Sequence, residues 1–155
     1  MHEAFRRYVE ALHPELEKLM AMEPVTPSKL PKPCPSACVY LFSEAGKHLY
    51  VGRTRKFRNR MRQHSAPGSQ HNQAVFAFKL ARESTGKTES KYTQKGSRAA
   101  IVDDPVFARA FDEAKARVRN MEVRFIAEPD PLRQALLEIY ISVALQTPYN
   151  DFETH

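Results

Sequence analysis

The sequence contains no apolar run long enough to span a bilayer, which excludes a membrane-crossing helix. No signal-peptide pattern opens it, so we expect no export. Cysteine is scarce: only Cys34 and Cys38, four positions apart. A structural zinc site needs four ligands, and no second Cys or His pair stands by these two, so zinc is set aside. A reducing, cytoplasmic setting is the expectation.

Positive charge, by contrast, is plentiful. The 155 residues carry a net +6 and can bury a real core, most simply as one domain. Net charge alone describes any basic protein; its clustering is more informative. Six of the ten residues from Arg53 to Arg62 are basic. The stretch 49–64 reads as a short strand, a glycine turn at Gly52, a threonine cap at Thr54 and a helix. If Phe57 and Met61 face the core, His64 falls between their directions and Arg60 lies on the same flank. Charge so concentrated at the edge of a packed face expects a phosphate. Arg53, Arg55, Lys56, Arg58, Arg62 and, from the preceding loop, Lys47 are the candidates for contacting a DNA backbone.

Two β-rich runs, Cys38–Phe42 and His48–Gly52, flank a loop containing Gly46 and predict a hairpin. A three-residue loop, Glu44–Gly46, pairs Tyr40 with Tyr50 on one face. A two-residue loop pairs Tyr40 with Val51 and sends the tyrosines to opposite faces. A functional pairing of the tyrosines needs the first register.

Elsewhere, residues 3–22 carry a helical apolar stripe that Pro14 interrupts, predicting a kink or a second helix, most simply for packing. Residues 23–36 hold five prolines, so an extended surface tether is expected there. A helix through Ala74–Ala81 would be capped by Ser69 or Asn72. The run from Arg82 to Ala99, with Lys87, Lys91, Lys95 and Arg98, reads as a loop. Asp103 or Asp104 before Pro105 starts a further helix. Residues 121–127 alternate like a half-buried strand. The helix over 131–146 is apolar on every side, which predicts complete burial. Glu138 in its middle then needs a cation, hydrogen bonds or a proton. A structural ion pair is one answer, and a bound divalent metal is the other.

Together these residues resemble the GIY-YIG nuclease superfamily. Cys38-Val39-Tyr40 stands for the first signature, with Cys38 in place of its glycine, and Tyr50-Val51-Gly52 for the second. Arg60 follows Tyr50 by ten residues, His64 follows Arg60 by four, and Asn150 follows Glu138 by twelve. The resemblance covers residues 37–66 and 119–152. It implies an α/β (α+β) fold, a three-stranded antiparallel sheet flanked by helices, over 37–152 with an insertion at 67–118. Residues 1–36 are the N-terminal helix and tether. The implied activity is a divalent-metal-dependent DNA endonuclease, with Tyr40, Tyr50, Arg60, His64, Glu138 and Asn150 as its site.

The chemistry of phosphodiester hydrolysis fits those residue types. Arg60 is a planar, permanent cation for a phosphate. Glu138 is a hard oxygen ligand for one Mg²⁺ or Mn²⁺. By resemblance a tyrosine orients or deprotonates the attacking water, Tyr40 before Tyr50, and His64 is the alternative base. Asn150 fixes the walls. These roles require phenol, guanidinium and carboxylate to share one cleft; a Glu138 carboxylate pointing away from the two tyrosines, or tied up in an internal ion pair across the molecule, would end the nuclease reading. One site cuts one strand, so double-strand cleavage would need a homodimer. The rival reading is a nucleic-acid-binding module without cleavage, and phosphate contacts alone do not separate DNA from RNA.

Overall fold

A computed structural model of the chain describes residues 1–86 and 104–153. Lys87, Lys91, Lys95, Arg98 and Asp103 lie outside the described residues. Two compact units are present, Met1–Arg58 with Met121–His155, and Asn59–Asn120.

In the first unit the N-terminal stripe forms two helices, α1 (Glu3–Glu10) and α2 (Leu12–Ala21). Pro14 sits in the first turn of α2, where its missing N–H costs nothing. Leu12, Leu16 and Leu19 of α2 pack in one cluster with sheet and C-terminal residues, so this is a packing helix. The proline-rich stretch contains no helix. Val25 alone pairs across to Val123, exchanging two backbone hydrogen bonds of 3.0 and 2.7 Å.

The sheet has three antiparallel strands: β1 (Cys38–Glu44), β2 (Lys47–Thr54) and β3 (Glu122–Ala127), in the order β2-β1-β3. This is the architecture the sequence predicts, but the hairpin register is neither of the two expected. Glu44 pairs with Lys47 around a two-residue turn, Ala45-Gly46. Both turn residues have positive φ, 51° and 77°, as a type I′ turn requires. A bulge beyond Ser43 then shifts the ladder, so that Phe42 faces Tyr50 and Tyr40 faces Gly52. The bulge restores the parity that the short turn would have lost. Tyr40 and Tyr50 therefore share a face, diagonally rather than directly opposite.

The two faces of the sheet divide the residues cleanly. Tyr40, Phe42, Tyr50 and Gly52 share one side with Phe125 and Val123. The Phe57 ring lies 4.7 Å from that of Phe125 and 6.1 Å from that of Tyr40. On the other side Val39, Leu41 and Val51 pack with α2 and with Leu137 and Ile141 of the C-terminal helix, α6 (Pro131–Leu145).

That last helix corrects an expectation. It is not buried all round: Leu132, Ile139 and Val143 are exposed, Val143 by 69%. Two polar residues, Gln134 and Ser142, take core-facing positions instead. Gln134 donates to the Thr54 carbonyl at 2.9 Å, and Ser142 meets Thr147 at 2.9 Å. Satisfied polar groups can occupy the inner face, and the surplus apolar side chains fall outward.

In the second unit, α3 (Phe57–Ser65), which begins in the first, continues from Asn59, followed by α4 (Val75–Ser84) and α5 (Pro105–Arg119). Arg82–Ser84 thus complete a helix rather than open a loop. Neither Ser69 nor Asn72 caps α4; its N-cap is Ala74, after a turn in which the Gln70 carbonyl accepts from Gln73 and Ala74. Asp104 does cap α5, accepting from Val106 at 2.9 Å. Phe78, Phe107 and Phe111 form its aromatic core, with the Phe78 and Phe107 rings 5.2 Å apart. Lys115, nearly buried, donates to the carbonyls of Pro67 and Ser69 at 2.7 and 2.9 Å and pairs with Asp112, so its charge is compensated.

Candidate active site

The two signature tripeptides meet through Tyr40 and Gly52. A Cβ on Gly52 would stand 2.3 Å from both Cζ and the hydroxyl oxygen of Tyr40. Only a residue without a side chain lets the phenol lie there. The Tyr40 ring is 1% exposed and packs edge-on against Phe42 at 5.8 Å. Tyr50, on the same face of the edge strand, is only partly buried. Of the two phenols, Tyr50 is the more accessible to water and Tyr40 the more deeply packed. Cys38 is fully buried, and its thiol is pushed up to about 12, by burial first and by Cys34 second. It is a neutral small side chain where the family signature has glycine.

Asn150 grips the strand between Tyr50 and Gly52. Its Oδ1 accepts from the Val51 N–H at 2.8 Å, and its Nδ2 donates to the Val51 carbonyl at 2.8 Å. Thr147 donates to the same Oδ1 at 2.7 Å, which leaves Ser142 to donate to Thr147. The Tyr149 N–H reaches the Leu49 carbonyl at 3.2 Å. Asn150 was expected to fix walls, and what it fixes is the second signature itself. Its supports Ser142 and Thr147 were not anticipated; the only sequence signal was a pair of hydroxyls just before Pro148-Tyr149-Asn150.

Glu138 is also brought to β2. The Arg53 Nε donates to its Oε2 at 2.7 Å. Burial raises the pKa of this carboxyl, while the hydrogen bond and charge of Arg53 pull it down, and burial wins. Of the two answers left open, the ion pair is the one formed. Its weight follows from its position. The Glu138 side chain is 19% exposed, but that of Arg53 is 48% exposed, and the contact is to a single oxygen. Such rim pairs contribute about 1 kcal/mol or less, so this one holds the carboxylate weakly.

The basic residues of the first unit sit on the surface. Lys47, Lys56, Arg55 and Arg58 are exposed. Arg55 and Arg58 are anchored rather than free: their Nη groups donate to the carbonyls of Pro129 at 2.9 Å and Pro31 at 2.5 Å. A guanidinium keeps further donors, so both can still meet a phosphate. The expected threonine cap is not formed: Thr54 Oγ1 accepts from the Lys56 N–H at 3.0 Å in the turn before the helix, and the first helical N–H, that of Phe57, goes to the Ser36 carbonyl at 3.0 Å.

In the second unit, Arg62 is exposed and Arg60 half-buried. Arg60 donates to the Gln63 side chain at 3.0 Å and to the Gln73 carbonyl at 3.1 Å, which orient its guanidinium. His64 is not at an edge but fully buried. Burial, then the Arg60 charge, holds its pKa well below the ordinary value, so the imidazole is neutral at neutral pH. A sealed imidazole is poorly placed to take a proton from solvent.

Among the described residues, no group of three or more His, Cys, Asp and Glu gathers for a metal. The donor set around Glu138 is one carboxylate at a half-open rim. It fits an ion that takes most of its ligands from water and phosphate, Mg²⁺ or Mn²⁺, and does not fit zinc. Among the same residues no helix is long and apolar enough to cross a membrane.

Residues 36–98 match the family model of the GIY-YIG catalytic domain. The family resembled by the two tripeptides is thus found by an independent comparison, and the three-stranded antiparallel sheet with flanking helices is consistent with its fold. The match includes Tyr40, Tyr50, Arg60 and His64; Glu138 and Asn150 lie beyond it. No curated protein and no solved structure matches the chain significantly. The GIY-YIG family is one of nucleases that act on DNA, so the match suggests a nuclease.

Proposed function

We propose that this protein is a divalent-metal-dependent DNA endonuclease, site- or structure-specific. One observation supports this most. Glu138, 85 residues along the chain from Arg53, is brought to the strand that carries Tyr50 and Gly52, where it pairs with a half-exposed, weakly held arginine. A partner so exposed and so weakly held leaves the carboxylate open to an incoming cation.

In this reading Tyr50 orients the attacking water and accepts its proton, with the ring of Tyr40 packed beneath the second signature. Only the phenolate can take that proton, and a free phenol's pKa is about 10, so neighbouring positive charge must favour the phenolate. Arg60, oriented by Gln63 and Gln73, neutralises charge on the phosphoryl oxygens. Glu138 holds the single metal ion. When bound, that ion supplies positive charge to the departing 3′ oxygen. Asn150 keeps Tyr50 and Gly52 in place through Val51. Arg53, Arg55, Lys56, Arg58, Arg62 and Lys47 contact the sugar–phosphate backbone. Residues 37–152 form the catalytic domain, with 67–118 as an insertion. Two chains, or two successive events, cut both strands of a duplex, and a reducing cytoplasm suits the two free cysteines.

The test is incubation with supercoiled plasmid, duplex, single-stranded, flap and four-way-junction DNA, in Mg²⁺ or Mn²⁺. Nicking of at least one substrate, lost in Glu138→Ala with DNA binding kept, is the expected result. Binding without cleavage of any substrate would favour the binding module, and cleavage unchanged in Glu138→Ala would remove its metal role.

A further inference from the structure

Arg53 and a metal ion compete for one carboxylate. The Arg53 Nε sits 2.7 Å from Glu138 Oε2, where a hydrogen-bonded guanidinium occupies the side of the carboxylate nearest β2. Arg53 is the residue immediately after the second signature, and β2 is an edge strand. Its side chain is 48% exposed, so it can leave Glu138 without unpacking anything. The exposed residues that follow it are Arg55, Lys56 and Arg58.

We propose that Arg53 is an exchangeable latch on Glu138, which a divalent cation displaces and which then serves as a phosphate-binding residue continuous with that basic run. This rests on the reading of Glu138 as a metal ligand. The physical reason is repulsion: a dication on the carboxylate and a guanidinium within hydrogen-bond distance of it carry like charge in a half-buried setting. A guanidinium turned away from Glu138 keeps its planar fork of donors, which matches a phosphate. The latch explains why the chain tolerates a partly desolvated carboxylate before any ion arrives. It also couples the two ligands. A metal on Glu138 releases Arg53 for DNA, and a phosphate on Arg53 bares Glu138 for metal, so each tightens binding of the other.

The test is Mn²⁺ binding to the intact, DNA-free protein, followed by the electron paramagnetic resonance of free Mn²⁺ and by calorimetry. Wild type, Arg53→Met, Arg53→Lys and Glu138→Gln are compared. Removing a competing cation should tighten Mn²⁺ binding by about threefold or more in Arg53→Met, with Arg53→Lys nearer wild type. A second measurement follows a non-cleavable phosphorothioate duplex. Mn²⁺ should strengthen its binding to wild type by a larger factor than to Arg53→Met. Mn²⁺ affinity unchanged or weakened in Arg53→Met, with Glu138→Gln losing Mn²⁺, would overturn the latch while leaving Glu138 as the ligand. Mn²⁺ binding unaltered in Glu138→Gln would overturn both. Arg53 is a surface residue, and circular dichroism of each variant checks that the fold is kept.

Discussion

The phenol of Tyr40 fills the space that a side chain at Gly52 would need, with ring carbon and hydroxyl oxygen each 2.3 Å from the absent Cβ. The two residues face one another across β1 and β2, so neither can change without the other. Gly52→Ala should therefore destabilise the protein by about 3 kcal/mol or more, because a buried ring has no room to retreat. Urea denaturation measures it. Combining Gly52→Ala with Tyr40→Leu should cost less than the sum of the single changes, a coupling that a double-mutant cycle reads directly.

Asn150→Ala removes both partners of the Val51 backbone and one of Thr147. The expected loss is about 2–3 kcal/mol in urea melts, since groups left unpaired cost more than the bonds themselves contribute. The Val51 amide should exchange with deuterium faster than its neighbours on β1. Asn150→Asp keeps the acceptor but loses the donor to the Val51 carbonyl, and should fall between the two.

His64 makes stability depend on pH in a definite direction. Its pKa is well below 6.5 in the fold and ordinary in the unfolded chain. The unfolded state therefore binds a proton more readily. The resulting stability is fully present above pH 6.5 and is lost as pH falls from there toward the folded value, at up to about 1.4 kcal/mol per unit. Melting temperatures of wild type and His64→Gln, compared between pH 7.5 and 4.5, should converge as the pH drops.

The Arg53–Glu138 pair should matter little for stability. Arg53→Met is expected to change the unfolding free energy by less than about 1 kcal/mol, because half the arginine is in water. A larger loss in urea melts would make the pair a structural element.

Backbone contact by the basic run predicts steep salt dependence. Replacing Lys56 by Ala should weaken binding to all DNA sequences alike and lower the slope of log affinity against log salt by about 1. Arg55 and Arg58 are held to backbone carbonyls, so their alanine variants should also loosen the segments at Pro129 and Pro31. Comparing the three variants separates charge from anchoring.

Much of the first unit was legible in the residues because its signals are local. Alternating apolar runs announced the strands, and the tripeptides Cys38-Val39-Tyr40 and Tyr50-Val51-Gly52 announced one another, as Asp104 before Pro105 announced a helix start in the second unit. The bulge beyond Ser43 was not legible, since nothing in His48-Leu49-Tyr50 says that one residue will drop out of the ladder. The exposure of Ile139 and Val143 was missed for a related reason. Hydropathy counts methyl groups, whereas the inner face of α6 was decided by what Gln134 and Ser142 could bond to, a fact of three dimensions. Glu138 was recognised as needing a partner, but Arg53 was read only as a DNA contact; charge pairs distant in sequence leave no periodic trace.

The grip of Asn150 on Val51 has a further effect on the strand's outer rim. β2 is the last strand on its side, and its outward N–H and C=O groups are those an incoming chain would use to extend the sheet. The Asn150 amide and the Tyr149 N–H already occupy Val51 and Leu49. The C-terminal segment thereby acts as a plug against edge-to-edge stacking, and trimming it would expose a sticky rim prone to intermolecular aggregation.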